Sequence, residues 1–326
     1  MTLKIDAPLI REIREEEEFR TPKDLFLKFV IFVVVFFVVA CVECVIMTIG
    51  FYPKLMSWTM EQMLLTDGAV TDWMIREKLM DLLLDPEYTH IVLFATASGT
   101  ITTFFYCRFI EGRSFSSMGF HKKDGLVQYL IGLAVGFCLF GLIVFLSWLT
   151  GGLTWNGFKG GSVAKLVLVF FGFLVQGMSE EVIFRGCYMT TIMRHHNAWW
   201  GILFNSVCFS LAHFANKGIT VLAAVNLVLY SVMISVYMLK MNNLWGACAI
   251  HGIWNFVQGN FFGLPVSGID TGATVFSMSL NEGKELINGG AFGLEAGLPT
   301  TIVMVAATVV LLLLPQKQDK TEEAAA

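Results

Sequence analysis

Charge is scarce in this sequence. Asp, Glu, Lys and Arg make up 15% of its 326 residues against 56% apolar ones, and that balance excludes an ordinary soluble globular domain. The apolar segments are continuous runs and not alternating stretches of about ten residues, which argues against a membrane β-barrel. Lys and Arg form no basic stripe, so nucleic acid is not an expected partner. The seven cysteines are scattered inside apolar stretches and make no disulfide framework. Cys41 and Cys44 have the spacing of a redox motif but sit within a continuous apolar run, where packing is the better reading. A basic n-region ahead of a short apolar core is also lacking. The start is polar, with four Glu at 15–18, so the first apolar stretch is expected to stay as an anchor. Internal repeats are lacking too, which weakens a transporter built from duplicated halves.

What the chain does have is long apolar runs. A helix needs about 20 mainly apolar residues to cross the hydrocarbon core. Eight stretches meet that test, at 25–51, 90–110, 126–150, 163–188, 198–215, 218–240, 244–262 and 298–314. The expected fold class is all-α, a polytopic transmembrane helical bundle. Residues 1–24 form an N-terminal segment, and 25–162 a group of membrane helices with an amphipathic outer loop. Residues 163–262 make a core that carries the polar motifs, and 263–326 a Gly-rich outer loop with the last helix. The outer loop at 52–89 contains an amphipathic stretch at 58–84, expected to lie on the membrane surface. The Gly-rich loop at 263–297 is expected to cap the bundle.

Orientation follows from the loop cations. On the side of the N-terminus stand Lys4, Arg11, Arg14, Arg20, Lys23, Arg108, Arg113, Lys122, Lys123, Arg194, Lys240, Lys317 and Lys320. The other side has Lys54, Arg76, Lys78, Lys159, Lys217 and Lys284. Thirteen against six puts both termini in the cytoplasm, and the short loops point to a bacterial plasma membrane.

Against this apolar background Glu180-Glu181-Val182-Ile183-Phe184-Arg185 stands out, because ionisable groups at bilayer depth are costly and mark function by default. Glu181 and Arg185 are spaced i, i+4 in the favourable order for an ion pair, which leaves Glu180 as the free acid. Gln176 and Gly177 share the face of Glu180. The next span carries Phe209 and His213. Glu180 and His213 lie at equal sequence distances from the turn at 194–197, so in an antiparallel hairpin they stand at one height. The seventh span carries His251 and Asn255, one helical turn apart. Counting residues along the sixth and seventh spans sets His251 up to two turns nearer the cytoplasm than His213, a gap that tilt or a broken helix must close. Asn226 and Tyr230 of the sixth span are expected to be satisfied bundle contacts. Glu43, an acid inside the first span, has no evident partner.

Glu-Glu-x-x-x-Arg, then Phe-x-x-x-His, then His-x-x-x-Asn, each on its own membrane helix, resembles the CaaX-processing and bacteriocin-processing (CPBP) family of intramembrane endopeptidases. The resemblance covers about 170–260. It implies hydrolysis of peptide bonds in membrane-associated peptide or protein substrates at the lipid bilayer, with prenylated CaaX-type and bacteriocin- or pheromone-like chains among the candidates. Carried over, Glu180 and His213 would activate water and His251 and Asn255 would stabilise the oxyanion. Glu181, Arg185 and Phe209 would support them. No cofactor is favoured. In the alternative, Glu180, His213 and His251 supply three zinc ligands with a fourth position for water, although no His-Glu-x-x-His helix is present. A proton-coupled transporter is the reading from a different class of function, since Glu and His inside a bundle also make proton relays.

Overall fold

A computed structural model describes residues 5, 7–65 and 68–316. Lys4, Lys317 and Lys320 of the cation count lie outside the described residues. The fold is a helical bundle, as expected. Helix α1 (Pro8–Glu15) buries Leu9, Ile10 and Ile13 along the base of the bundle. Helix α2 (Leu25–Leu65) follows, then α3 (Asp72–Leu84), α4 (Thr89–Ala95) and α5 (Ala97–Phe105), which runs on through a π turn to Ile110. Helix α6 (Gly125–Leu149) leads to strand β1 (Leu153–Phe158). Helix α7 (Val163–Glu181) continues through a π segment at Val182–Met189 into α8 (Thr190–Met193). The rest is α9 (Ala198–Ala212), α10 (Val221–Met241), α11 (Leu244–Phe256) with a π extension to Phe261, β2 (Phe276–Leu280), α12 (Glu285–Asn288) and α13 (Leu298–Leu313).

Five described helical stretches are long and apolar enough to cross a membrane: Leu25–Leu65, Pro86–Ile110, Gly125–Leu149, Val163–Met193 and Val221–Met241. The expected spans at 198–215 and 298–314 are instead short apolar helices of 15 and 16 residues. The shortness of α9 has a use. The helix stops at Ala212, and His213 falls in its C-cap rather than on a further turn.

The expected boundaries of the outer loop at 52–89 need correction. Helix α2 does not end near Phe51 but continues past Pro53 to Leu65, a run of 41 residues. At 1.5 Å per residue that is about 60 Å, roughly twice the hydrocarbon thickness, so its second half leaves the core. The amphipathic stretch at 58–84 is therefore divided between the end of α2 and α3, which Thr71 starts by accepting a hydrogen bond from Met74 N. A second correction concerns the Gly-rich loop. Residues 276–280, Phe-Ser-Met-Ser-Leu, alternate with the period of a strand, and they pair antiparallel with β1, with a bulge between Trp155 and Gly157.

Two faces follow from the contacts at the helix ends. On one, α1 meets the α10–α11 and α8–α9 turns: Leu9 N donates to Asn242 Oδ1 at 2.7 Å, and Arg14 Nη2 to the His196 carbonyl at 2.9 Å. His121 joins Asn242 O at 2.7 Å and Glu12 Oε2 at 2.9 Å, and Lys240 Nζ reaches Leu314 O at 2.7 Å. The opposite face carries the β-sheet and the 263–297 segment, where Asn288 Nδ2 donates to Gly152 O at 2.9 Å and Asn216 Nδ2 to Ser267 O at 3.1 Å.

The interior is set by glycines that let backbones touch. Gly132 and Gly136 of α6 face Gly246 and Ile250 of α11. On the other side of α11, a methyl on Gly177 would stand 2.5 Å from Gly252 N, and one on Gly252 would stand 2.8 Å from Leu174 Cα and Phe173 O. This crossing fixes His251 at the height of the Glu pair. It closes the gap that counting along the sixth and seventh spans left open. Because the obstructing atoms are backbone, Gly252→Ala should force the helices apart, at a cost of about 1–3 kcal/mol. Thermal unfolding of the variant measures that cost.

Candidate active site

Between α7, α9, α10, α11 and the 263–297 segment lies a chamber of about 220 Å³. Glu180, His213, His251 and Asn255 line it, together with Gln176, Phe209, Asn226, Tyr230 and Glu295. The three motifs identified in the sequence therefore converge on one cavity. Glu181 and Arg185 stand behind it, fully buried.

The adjacent carboxylates point different ways, as neighbours about 100° apart on a helix must. Gln176, one turn before Glu180, donates its amide to Glu180 Oε1 and accepts from Asn255 Nδ2 at 2.9 Å. Glu180 Oε2 is buried without a hydrogen-bond partner. It lies 4.0 Å from His213 Nε2 and 3.8 Å from His251 Nε2.

The other nitrogen of each imidazole is already committed. His213 Nδ1 lies 2.8 Å from the Phe209 carbonyl, and His251 Nδ1 lies 2.8 Å from Glu181 Oε1. A carbonyl and a carboxylate only accept, so each Nδ1 carries a proton, and Nε2 is the ring nitrogen turned toward Glu180.

Glu181 Oε1 also accepts from Arg185 Nη1 at 3.0 Å, and the guanidinium carbon sits 4.4 Å from the centroid of the Phe209 ring. The expected ion pair is present. Its further bond to His251 was not expected, because sequence spacing reports partners along one helix and not across to another. The pair is followed at once by the π segment of α7. There Arg113, buried near the opposite end of the bundle, donates to the Gly186 carbonyl at 3.2 Å and to Thr190 Oγ1 at 2.7 Å.

Asn226 is a satisfied bundle contact. It donates to the carbonyls of Glu295 and Gly297 at 2.8 and 2.9 Å, tying α10 to the outer segment. Tyr230 differs from the expectation, since its hydroxyl is buried in the chamber wall without a partner. Glu43 Oε1 and Ser179 Oγ of α7 both stand against Gly99 of α5, and Glu43 does not line the chamber.

Sequence reasoning missed Glu295. Its carboxylate accepts from Ser267 N and Oγ, at 2.6 and 3.0 Å, and from Gln258 Nε2 at 3.2 Å, and so fastens the outer segment over the chamber. Burial pushes its carboxyl above the usual range although the Ser267 and Gln258 bonds pull the other way. A raised folded value means that the proton is held more tightly in the fold than in the unfolded chain. The stabilisation is full below the ordinary Glu value of about 4.3 and is lost as pH rises through the folded one. Glu295→Gln should flatten that fall in stability, which thermal unfolding measured across the range would detect.

The donor set of Glu180, His213 and His251 has the right chemistry for a catalytic zinc, two imidazoles and one carboxylate. Its spacing is wider than a bound zinc would set. Bonds of about 2.0–2.1 Å in a tetrahedron set ligand atoms about 3.3 Å apart, against 3.8 and 4.0 Å here. The described His, Cys, Asp and Glu groups whose ligand atoms cluster within 4.8 Å are Cys107, Glu111 and Cys187, in a different part of the bundle.

Residues 162–257 match the family model described as type II CAAX prenyl endopeptidase Rce1-like. The match is 96 of 326 residues and runs from the start of α7 past the end of α11, taking in every motif residue but not Gln258 or Glu295. This Rce1-like segment supports the resemblance to the CaaX-processing and bacteriocin-processing family. Such a segment implies a peptidase of the CAAX-type intramembrane class. Searches of the curated proteins and of the solved structures gave no match.

Proposed function

We propose that this chain is a metal-independent, glutamic-type endopeptidase in which Glu180 is the general base. The observation that carries this reading is the free Glu180 Oε2 facing two imidazole Nε2 atoms at 3.8 and 4.0 Å. That spacing suits one water hydrogen-bonded at about 2.8 Å to the carboxylate and to an imidazole. Glu180 takes a proton from this water as it attacks the scissile carbonyl, and His213 holds the water by its second hydrogen. The proton passes to the leaving amine, so that carboxylate and rings return to their starting states.

The oxyanion needs donors. His251 becomes one when it is protonated, because the Glu181 carboxylate at Nδ1 stabilises the imidazolium and frees Nε2–H to donate. Asn255 spends one amide hydrogen on Gln176 and has a second for the substrate. Tyr230 offers a third donor, its hydroxyl being buried in the chamber wall and unpaired. Gln176 and Asn255 also fix the Glu180 carboxylate, so Asn255 has a positioning role beside the oxyanion role that the family resemblance implies.

Exhaustive chelation should leave cleavage of a membrane-associated peptide within about twofold of the untreated protein. Loss of activity that stoichiometric zinc restores would instead assign Glu180, His213 and His251 as ligands.

A further inference from the structure

Outside the chamber, two helices leave regular α geometry at one place. The π turn that ends α5 at Tyr106–Ile110 brings Cys107, and the π segment of α7 at Val182–Met189 brings Cys187. Wide turns of this kind occur mostly where a helix has to present functional groups. Glu111 stands four residues after Cys107, one helical turn on. The two sulfurs and a Glu111 carboxylate oxygen all lie within 4.8 Å of one another, and the three residues are buried. The Glu111 carbonyl accepts from Arg20 N at 2.7 Å, so the cluster lies at the face of the chain termini, where an ion can arrive from water.

Two thiols and a carboxylate are a donor set for zinc. Bonds of about 2.3 Å to sulfur and about 2.0–2.2 Å to oxygen would set these atoms roughly 3.5–3.8 Å apart in a tetrahedron, which asks for side-chain shifts of about 1 Å and leaves a fourth position for water. Glu111 is already oriented by its neighbours. Tyr106 Oη donates to its Oε1 at 3.3 Å, Thr191 Oγ1 to the same oxygen at 3.1 Å, and Arg113 Nη1 to Oε2 at 3.3 Å. Such outer partners fix a ligand carboxylate without using up its lone pairs.

Charge also balances. Without metal, two neutral thiols stand beside the Glu111–Arg113 ion pair. Binding exchanges the two thiol protons, released to water, for the two charges of zinc, so the buried cluster is neutral before and after. Arg113 keeps its place in both states, because its Nη2 donates to Ser117 O at 2.8 Å and to Thr190 Oγ1 at 2.7 Å.

We propose that Cys107, Cys187 and Glu111 form a structural zinc site that ties the π turn of α5 to the π segment of α7. It is separate from the chamber, supplies no step of hydrolysis and does not depend on the peptidase reading.

Cobalt(II) is the probe, since a thiolate bound to it gives a charge-transfer absorption that carboxylate and imidazole ligands do not. Purified full chain, kept reduced by a phosphine, should develop this band, saturating at one cobalt per chain, and zinc should bleach it. Cys187→Ala should lose the band, and Cys41→Ala with Cys44→Ala should keep it, those two cysteines being exposed on α2. Cys107→Ser, which retains a small polar side chain, repeats the test should the alanine variant fail to fold. Zinc should also raise the melting temperature of the parent and leave that of Cys187→Ala unchanged. A folded, reduced parent without the band in excess cobalt overturns the proposal, as does a band that persists in both Cys187→Ala and Cys107→Ser. Because no chamber residue is a thiol, the same variants tell zinc held here from zinc held by Glu180, His213 and His251.

Discussion

Glu180→Gln should reduce kcat by about 10²–10⁴-fold, the usual share of a general base, with KM nearly unchanged. The amide keeps the volume of the side chain and an oxygen for Gln176 to donate to. It removes only the proton acceptor at the position of Oε2, which makes no hydrogen bond in the resting site. Stability should accordingly change little, and thermal unfolding of the purified variant separates loss of chemistry from loss of fold. His213→Ala should cost less. Its ring orients the water through Nε2, while the Phe209 carbonyl that fixes Nδ1 is a backbone group and stays in place. Because carboxylate and ring act on one water, the double variant should be barely slower than Glu180→Gln alone. Cleavage by Glu180→Gln within a few-fold of the parent would remove Glu180 as the base, and additive losses would separate the roles of the two residues.

Much of this site could be read from residue spacing because its parts obey one-helix rules. The i, i+4 relation of Glu181 to Arg185 predicts their ion pair. Equal offsets of Glu180 and His213 from the turn at 194–197 predict their common height. The two-turn deficit of His251 could not be resolved in this way, because what cancels it is a contact between helices. Gly177 and Gly252 are ordinary membrane-helix glycines in the sequence, and only their juxtaposition shows that α7 and α11 touch backbone to backbone. Glu295 was illegible for a related reason. It lies in a Gly-rich segment without periodicity, and its partners Ser267 and Gln258 are 28 and 37 residues away. Strand β2 alternates from Phe276 to Leu280, but five residues of period 2 become a strand only through their pairing with β1, more than a hundred residues earlier.

Glu181→Ala should give the largest loss of stability in the bundle. The carboxylate is fully buried and holds two groups at once, Arg185 at 3.0 Å and His251 at 2.8 Å. Removing it leaves a buried guanidinium with only the Phe209 face beside it and an imidazole N–H without an acceptor. Breaking one partner out of a buried pair costs about 3–5 kcal/mol, since the remaining charge is uncompensated. Activity should fall as well, because His251 then has nothing to fix its ring or to stabilise its protonated form. Stability and positioning are separable by removing both charges. Glu181→Leu with Arg185→Leu should recover most of the lost stability, as apolar replacement of a buried ion pair is often neutral or better. It should not recover turnover, for Nδ1 of His251 still lacks its acceptor. Cleavage restored along with stability would show that Glu181 is only a structural counter-ion of Arg185, and that the ring of His251 is held by the helix crossing at Gly177 and Gly252 alone.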